Sequence, residues 1–162
     1  MSNYIGLVCM DEQRGIGLQE KLPWPYKDGD LKWFKEVTTG HHVLMGNRTW
    51  KGLGLNHLKN RHVWVLTKQN YGWNQAISTK PEGECSVNLI NDISNIPNEI
   101  PTIIVAGGLS IYRQLESRIS EWLITTLKTK YNADVFLPEF ETRFTNNQVI
   151  MEDEKMKIVR YY

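Results

Sequence analysis

The chain is predicted to be a single-domain α/β protein with a mostly parallel central sheet. A β-branched run, Thr102 to Ala106, is followed by Gly107-Gly108 and a helical pattern from Ser110 to Ser117, which is typical of a strand-to-helix turn in a parallel sheet. Short apolar runs alternate with helical patterns elsewhere, and two terminal runs can pair as antiparallel edge strands. No internal repeat or linker divides the 162 residues.

The first half of the chain opens with a strand. Asn3 to Met10 is a short apolar run. The segment from Asp11 to Pro25 has an irregular pattern interrupted by glycines, so neither a helix nor a strand is predicted there. A helix is predicted from Asp30 to Thr39, because Gly40 follows it as a stop signal. The next elements are predicted as strand, short helix and strand: His42 to Met45, Thr49 to Leu53, and Arg61 to Thr67.

The second half continues the alternation. Scattered Asn, Pro, Gly and Ser between residues 70 and 100 predict a loop-rich connection with one short strand and one short helix. The last two of the remaining predicted strands form the antiparallel pair. These strands are Glu121 to Leu127, Asp134 to Phe136, Asn147 to Met151, and Lys157 to Tyr162.

Composition and charge exclude several classes of function. The chain is 41% hydrophobic and 23% charged, which suffices for one compact core. A net charge of +1 gives no cationic field for nucleic acid. No apolar run approaches the roughly 20 residues of a membrane span, and no leader segment is visible. We therefore expect a cytoplasmic protein that binds neither nucleic acid nor membrane, and a monomer because no exposed apolar periodicity demands a partner.

Cysteine and histidine usage gives no sign of a metal site. Cys9 and Cys85 are too few for a disulfide framework and are expected to be free thiols. The four histidines lack metal-ligand spacing and are expected to be structural or surface residues: His41, His42, His57 and His62.

The segment around Asp30 carries the first candidate chemistry. Residues four apart on a helix share a face, so Asp30, Leu31 and Phe34 form a patch that is apolar except for one acid. An acid in such a patch tends to keep its proton or to pair with a ligand that offers N–H donors. The alternative is that Asp28 caps the helix and Asp30 only favours its dipole from the first turn.

Two strand ends are candidates for binding phosphate. The glycine pair allows close approach of the backbone, and the following helix offers unpaired N–H groups, although a tight turn alone explains such a pair equally well. At the other strand end, Gly46 is followed by Arg48 and Thr49, which can hold a phosphate at the start of a helix. Lys68 follows the next strand and either adds a charge or is simply solvated.

In content and order, these motifs resemble the dihydrofolate reductase family over nearly the whole chain. The segments that carry the resemblance are Ile16-Gly17 with Leu22-Pro23-Trp24, Asp30-Leu31 with Trp33-Phe34-Lys35, Val43 to Trp50, Ala106-Gly107-Gly108 with Ile111-Tyr112, and Thr125. The resemblance implies a mostly parallel sheet of about eight strands with an antiparallel C-terminal edge, flanked by about four helices.

The resemblance also implies an activity. It is the NADPH-dependent reduction of 7,8-dihydrofolate to tetrahydrofolate, with hydride transfer from nicotinamide C4 to pterin C6 and protonation at pterin N5. Such an enzyme supports one-carbon metabolism and is a target of antifolates such as methotrexate or trimethoprim. No metal is implied.

The resemblance assigns roles to individual residues. Asp30 would grip the pterin 2-amino group and N3, with Thr125 hydrogen-bonded behind it, while Trp24 and Leu22 arrange the path of the proton-donating water. The substrate would further contact Ile5, Leu31, Phe34, Leu53, Leu58 and Arg61, the last at its α-carboxylate. The cofactor would contact Leu7, Ile16, Gly17, Leu18, Gly46, Arg48, Thr49, Thr67, Lys68, Ala106, Gly107, Gly108, Leu109, Ser110, Ile111 and Tyr112.

The chain departs from the family pattern in several places. Lys59-Asn60 stands where proline-glycine is usual, and Asn tolerates the left-handed conformation that such a turn needs. Asn47 and Ser110 stand where relatives carry basic residues. We therefore expect a narrower preference for NADPH over NADH, with the ribose 2′-phosphate held mainly by Arg48, Thr67 and Lys68.

Two other functions compete with this interpretation. One is a reductase of another pterin or of a ribosylaminopyrimidine, which shares the fold but does not need Asp30, Phe34 and Arg61 together. The other is a catalytically silent nucleotide-binding or phage-structural module on the same scaffold, which does not need Trp24 and Thr125 beside Asp30.

Overall fold

A computed structural model of the chain describes residues 2–53, 58–68, 75–78 and 86–162. The predicted roles of His57 and Cys85 lie outside these residues. Eleven strands occur in the described part of the chain: β1 (Asn3–Met10), β2 (Gly15–Gly17), β3 (His42–Gly46), β4 (His62–Leu66), β5 (Gln75–Ser78), β6 (Ser86–Ile90), β7 (Thr102–Val105), β8 (Ile119–Leu127), β9 (Val135–Phe136), β10 (Asn147–Glu152) and β11 (Met156–Tyr161).

Nine of these strands form one sheet in the order β10-β11-β8-β1-β7-β3-β4-β6-β5. Strand β1 lies inside the sheet between β7 and β8 and is parallel to both. The pairs β3–β4, β3–β7 and β4–β6 are also parallel. Antiparallel pairs occur at both edges, where β10 and β11 follow β8 and where β5 follows β6. Strands β2 and β9 form a separate antiparallel pair.

Three α-helices flank the main sheet in the described residues: α1 (Leu31–Thr38), α2 (Asn47–Leu53) and α3 (Leu109–Leu115). Helix α1 ends where the Thr39 N–H bonds the Lys35 carbonyl and Gly40 takes φ +79°, a backbone conformation that glycine adopts without strain. Short 3₁₀ turns occur at Tyr26–Asp28, Ile93–Asn95, Glu116–Arg118 and Phe140–Arg143.

The predicted α/β class, the mostly parallel sheet and the antiparallel C-terminal pair are confirmed, with some corrections. In the described residues the main sheet has nine strands rather than about eight, and three α-helices replace the expected four. The predicted loop of residues 11–25 contains β2, and the described part of the 70–100 connection holds two strands and a 3₁₀ turn. Strand β2 has only three residues and depends on pairing with β9, which no local pattern reveals. That the chain is one domain stays a prediction.

The core lies on both faces of the main sheet. Along β3, Val43 and Met45 belong to one buried cluster and Leu44 to the other, because successive strand residues point to opposite faces. Phe34 and Trp50 of α1 and α2 pack on the first cluster. Helix α3 packs on the second through Ile111, Tyr112 and Leu115.

The carboxyl ends of adjacent strands create the place for a site. Strands β1, β7 and β3 are neighbours and end at Met10, Val105 and Gly46. The Gly46 N–H donates to the Gly107 carbonyl at 2.9 Å, which brings the glycine pair against β3. Ligands of open α/β sheets bind at such strand ends. No helix in the described ranges is long and apolar enough to cross a membrane.

Candidate active site

A cleft opens at these strand ends, between α1, α2 and the glycine pair. Its walls are mainly apolar, and Asp30 supplies the single carboxyl group among the described residues that line it, as is common in small-molecule sites. The cleft is lined by Leu7, Val8, Cys9, Ile16, Leu22, Trp24, Tyr26, Gly29, Asp30, Leu31, Phe34, Thr49, Leu53, Ala106, Gly107, Gly108 and Tyr112.

Asp30 occupies the N-cap position of α1, yet its carboxyl makes no capping hydrogen bond. Asp28 instead belongs to the preceding 3₁₀ turn, so the alternative in which Asp28 caps the helix is wrong. The carboxyl of Asp30 is half-buried, and desolvation raises its pKa. Interactions with the side chains of Thr125 and Cys9 lower the pKa again in part, because both can donate to the charged form.

Thr125 lies behind Asp30 on β8 and is fully buried. Its hydroxyl is close enough to influence the Asp30 carboxyl but forms no hydrogen bond of ordinary geometry within the described residues. In the parallel ladder Thr125 stands opposite Cys9 of β1. A buried hydroxyl without a partner costs free energy, so this corner of the cleft favours a ligand or water with a matching polar group.

Trp24 and Gly29 pack tightly on the side of the cleft near Asp30. The Trp24 side chain is buried and contacts the Tyr131 ring at 5.8 Å between centroids. A Cβ atom on Gly29 would lie only 2.6 Å from Trp24 Nε1, so this close approach requires glycine. Leu22 lines the same side but is 44% exposed.

Hydrogen bonds from backbone N–H groups to two aspartate carboxylates hold the segment that carries Ile16 and Leu22 against the rest of the protein. The buried carboxylate of Asp11 accepts the Gly15 N–H at 2.7 Å and the Tyr131 N–H at 2.9 Å. Further along, the Gln19 N–H donates to Asp134 Oδ2 at 2.9 Å. Ile16 and Leu22 are therefore presented to the cleft by a fastened segment.

The apolar wall comes from both helices beside the cleft. Leu31 and Phe34 of α1 and Leu53 of α2 line it, as predicted for the pterin and aminobenzoyl rings. Leu58 is fully buried in the core cluster behind them and does not line the cleft. Ile5 is half-buried on β1 and also lies outside the cleft wall.

Arg61 is almost completely buried and does not line the cleft. Its Nε donates to Thr38 Oγ1 at 2.9 Å and its Nη1 to the Lys59 carbonyl at 2.7 Å, while Nη2 donates to Thr39 Oγ1 at 3.1 Å. Asn60, beside it, takes φ +61°, the left-handed conformation expected where relatives carry glycine. These contacts hold the guanidinium in one orientation.

Opposite α1, the glycine pair forms a wall of bare backbone. Gly107 takes φ +103°, and a Cβ atom on Gly108 would meet nothing closer than Thr49 Oγ1 at 3.8 Å. The Tyr112 hydroxyl donates to the Leu7 carbonyl at 2.6 Å and so joins α3 to β1. Burial raises the pKa of Tyr112, which keeps the phenol neutral.

The other predicted cofactor residues do not line the cleft. Arg48 is exposed and lies 3.4 Å from Glu20, a weak surface pair. Lys68 is exposed, whereas Thr67 is buried at the end of β4. The remaining ones are Gly17, Leu18, Gly46, Leu109, Ser110 and Ile111.

Sequence reasoning missed four residues that line the cleft: Val8, Cys9, Tyr26 and Gly29. Val8 and Cys9 lie at the carboxyl end of β1, where parallel sheets place ligands, so their position in the predicted strand was a usable signal. No cluster of histidine, cysteine and acidic side chains suited to a metal occurs in the described ranges.

The whole chain can be compared with known proteins. A sequence profile of dihydrofolate reductase matches residues 4–161. The chain belongs to the dihydrofolate reductase family. A dihydrofolate reductase of Staphylococcus aureus is 31% identical over 134 residues, which are 83% of this chain and 77% of that protein. One of Bacillus subtilis is 28% identical over 152 residues, covering 92% and 85% of the two chains.

A solved structure agrees with the family assignment at the level of the fold. Dihydrofolate reductase from Enterococcus faecalis, complexed with NADP(H) and RAB-propyl, superposes with a TM-score of 0.76 at 24% identity. The match covers 99% of this chain and 95% of that one. The predicted family, fold and enzyme class are thereby confirmed. The roles of individual site residues stay predictions.

Proposed function

We propose that the chain catalyses the NADPH-dependent reduction of 7,8-dihydrofolate to 5,6,7,8-tetrahydrofolate. The observation that carries the proposal is a half-buried carboxyl, that of Asp30, in a cleft whose opposite wall is the bare backbone of Gly107 and Gly108. An acid on one side and a flat, unobstructed surface on the other suit two stacked rings, one of which has N–H donors. Family membership supports the same reaction.

Asp30 orients the substrate ring. Burial raises the pKa of its carboxyl, because the desolvated carboxylate has too few hydrogen-bond donors around it. A ligand that supplies two N–H groups would stabilise the charged form. The 2-amino group and N3 of a pterin form such a pair. The hydroxyl of Thr125 has no hydrogen-bond partner among the described residues but lies beside the carboxyl, so it would support the orientation of the carboxyl once a pterin is bound.

The glycine wall and its surroundings fit a nicotinamide cofactor. A side chain is absent at Gly107 and Gly108, Thr49 Oγ1 lies beside them, and Asn47 Oδ1 at the start of α2 is buried without a partner in the described residues. When bound, NADPH supplies the hydride from nicotinamide C4. Ile16, Ala106 and the glycine pair would hold the nicotinamide against the pterin, and Arg48, Thr67 and Lys68 would hold the ribose 2′-phosphate.

Protonation at pterin N5 is assigned to a water molecule. Asp30 grips the opposite edge of the ring, so its carboxyl does not contact N5 in this pose. Leu22 is exposed at the cleft mouth and Trp24 is buried beside Asp30, so these two side chains control how water enters. Arg61, held by Thr38, would bind the substrate α-carboxylate near the far end of α1. A cytosolic location and a monomeric state stay predictions.

The test is oxidation of NADPH, followed by the loss of its near-ultraviolet absorbance. Purified protein should oxidise NADPH only when 7,8-dihydrofolate is present, and methotrexate or trimethoprim should inhibit the reaction. Asp30→Asn should lower kcat/KM for dihydrofolate at least about a hundredfold and leave NADPH binding unchanged. Asp28→Asn is the matched control, because Asp28 is an exposed acid two residues away.

Two results would contradict the proposal. Wild-type turnover by Asp30→Asn would remove Asp30 from the site. A wild-type protein that binds NADPH but leaves dihydrofolate unreduced would favour another pterin or a ribosylaminopyrimidine as substrate.

A further inference from the structure

Cys9 is the one thiol among the described residues, and it lies inside the candidate active site. It is the next-to-last residue of β1, half-buried, and directly opposite Thr125 in the ladder with β8. Two side chains from adjacent strands therefore reach the same corner of the cleft, where the Asp30 carboxyl is found.

The carboxyl of Asp30 could instead point to the N-terminus of α1 and cap the helix. An Asp at an N-cap position normally accepts a hydrogen bond from a backbone N–H of the first helical turn. Asp30 makes no such bond, and the side chains of Cys9 and Thr125 lie near its carboxyl, where both lower its pKa. Something must compensate for the lost cap, and these two side chains are in place to do so.

The thiol can act only as a donor to a carboxylate. Burial and the negative charge of Asp30 raise the pKa of Cys9, so its sulfur keeps the hydrogen. The other ionisable groups that act on this corner, within the described part of the chain, are the phenols of Tyr112 and Tyr131. Burial raises the pKa of both, so they are neutral and leave Asp30 as the charge that the thiol faces.

We infer that Cys9 is a positioning residue for the reductase site: its thiol donates a hydrogen bond to the Asp30 carboxylate and, with Thr125, holds that carboxylate in the cleft instead of at the N-terminus of α1. The inference rests on the proposed function, since it assigns Asp30 to the pterin. Cys9 takes no covalent part in the reaction. Its thiol is a poor nucleophile because the thiolate is disfavoured beside Asp30.

Kinetics of Cys9→Ser and Cys9→Ala separate a donor from a mere space-filling side chain. Serine keeps an O–H donor, so Cys9→Ser should retain kcat/KM for dihydrofolate within about threefold. Alanine removes the donor, so Cys9→Ala should lose about tenfold. Because the thiol lowers the pKa of Asp30, Cys9→Ala should also begin to lose kcat/KM at a higher pH on acidification. Identical pH profiles for the two variants would overturn the inference.

A second experiment tests the same contact through the reactivity of the Cys9 thiol and does not require enzymatic activity. In a Cys85→Ser background, Cys9 is alkylated with iodoacetamide in the absence of ligands. Removing the charge with Asp30→Asn should lower the pKa of Cys9 and speed alkylation several-fold near pH 8. Asp28→Asn should leave the rate unchanged. Equal rates in the parent protein and Asp30→Asn would also overturn the inference.

The two experiments distinguish failure of the inference from failure of the proposed function. If the wild type does not reduce dihydrofolate but Asp30→Asn still accelerates alkylation, the contact between Cys9 and Asp30 stands and the function is wrong. If dihydrofolate is reduced but neither experiment detects the contact, the function stands and the positioning role of Cys9 is wrong.

Discussion

The ionised carboxyl of Asp30 lowers the stability of the ligand-free protein but is available to bind a ligand. Its carboxyl gives up the capping bond of α1 and is desolvated in the cleft, which raises its pKa. A carboxyl with a raised pKa stabilises the folded state when it is protonated, and this contribution is lost as the pH rises through the folded-state pKa. At neutral pH the ligand-free protein therefore holds Asp30 at a free-energy cost.

Asp30→Asn should for this reason stabilise the ligand-free protein at neutral pH while it removes activity. The neutral amide avoids the desolvation cost and can also cap α1. Urea unfolding at about pH 7 should give a higher free energy of unfolding for Asp30→Asn than for the wild type, and the difference should shrink on acidification toward the pKa of an unfolded aspartate, about 3.9. A less stable Asp30→Asn at neutral pH would contradict this account.

Gly29 offers a second prediction about a single residue. In Gly29→Ala the new methyl group would lie 2.6 Å from Trp24 Nε1, and the buried indole would have to move. We expect a loss of about 1–3 kcal/mol of unfolding free energy and a lower kcat. Gly52→Ala is the control, because nothing lies within 4 Å of the added atom on α2, and it should stabilise the protein by about 0.5–1 kcal/mol. Equal unfolding free energies for the two variants would contradict the contact.

Residues on helices were easier to place from the sequence than residues on β1. The i, i+3 spacing of Leu31 and Phe34 puts both on one face of α1, and both line the cleft together with Asp30 at the N-cap. On β1 the family resemblance implied Ile5 and Leu7, whereas Leu7, Val8 and Cys9 line the cleft and Ile5 does not. Which end of a strand reaches a site depends on its pairing with distant strands, which the local sequence does not encode.

The small sheet of β2 and β9 holds Ile16, one of the residues that line the cleft. It joins the segment that carries Ile16 to the segment after β8, and the bond from the Gln19 N–H to Asp134 Oδ2 extends the contact beyond the paired strands. Neither strand has more than three residues. An element this short has little stability of its own and depends on such bonds.

Asp134→Ala should therefore loosen the segment of residues 15–22. Losing one exposed hydrogen bond of about 1 kcal/mol corresponds to about fivefold faster local opening. Amide hydrogen exchange followed by mass spectrometry should speed up in this segment, and NADPH should bind more weakly. Asp153→Ala is a matched control, because that carboxylate accepts backbone N–H groups in the turn between β10 and β11. Equal exchange of residues 15–22 in the two variants would exclude the role of Asp134.

At the scale of the whole molecule, a histidine pair at the amino ends of β3 and β4 links stability to pH. The rings of His42 and His62 stack with centroids 4.6 Å apart, and Trp64 Nε1 donates to His42 Nδ1 at 3.0 Å. Burial, followed by the nearby His62 and His41, lowers the pKa of His42. The folded state therefore binds a proton at His42 less readily than the unfolded chain does.

The protein should lose stability as the pH falls through the unfolded histidine value of about 6.5 and continue to lose it down to the pKa of His42 in the folded state. His42→Gln keeps an acceptor for Trp64 but does not titrate, so its free energy of unfolding should depend less on pH below about 6.5. His41→Gln, at an exposed position, removes only the last of the three causes that lower the pKa of His42, so it should reduce the pH dependence much less than His42→Gln does. Parallel pH curves for wild type and His42→Gln would rule out this source of the effect.

The position of β1 in the sheet constrains the order in which the protein can be made. Residues 3–10 leave the ribosome well before their partners in the sheet, which are residues 102–105 and 119–127. Until those strands are synthesised, an apolar strand with two unpaired edges has no native partner. The nascent chain therefore depends on contacts between residues far apart in sequence, and such contacts form slowly. Strand β1 is the segment that a chaperone would have to shield until then.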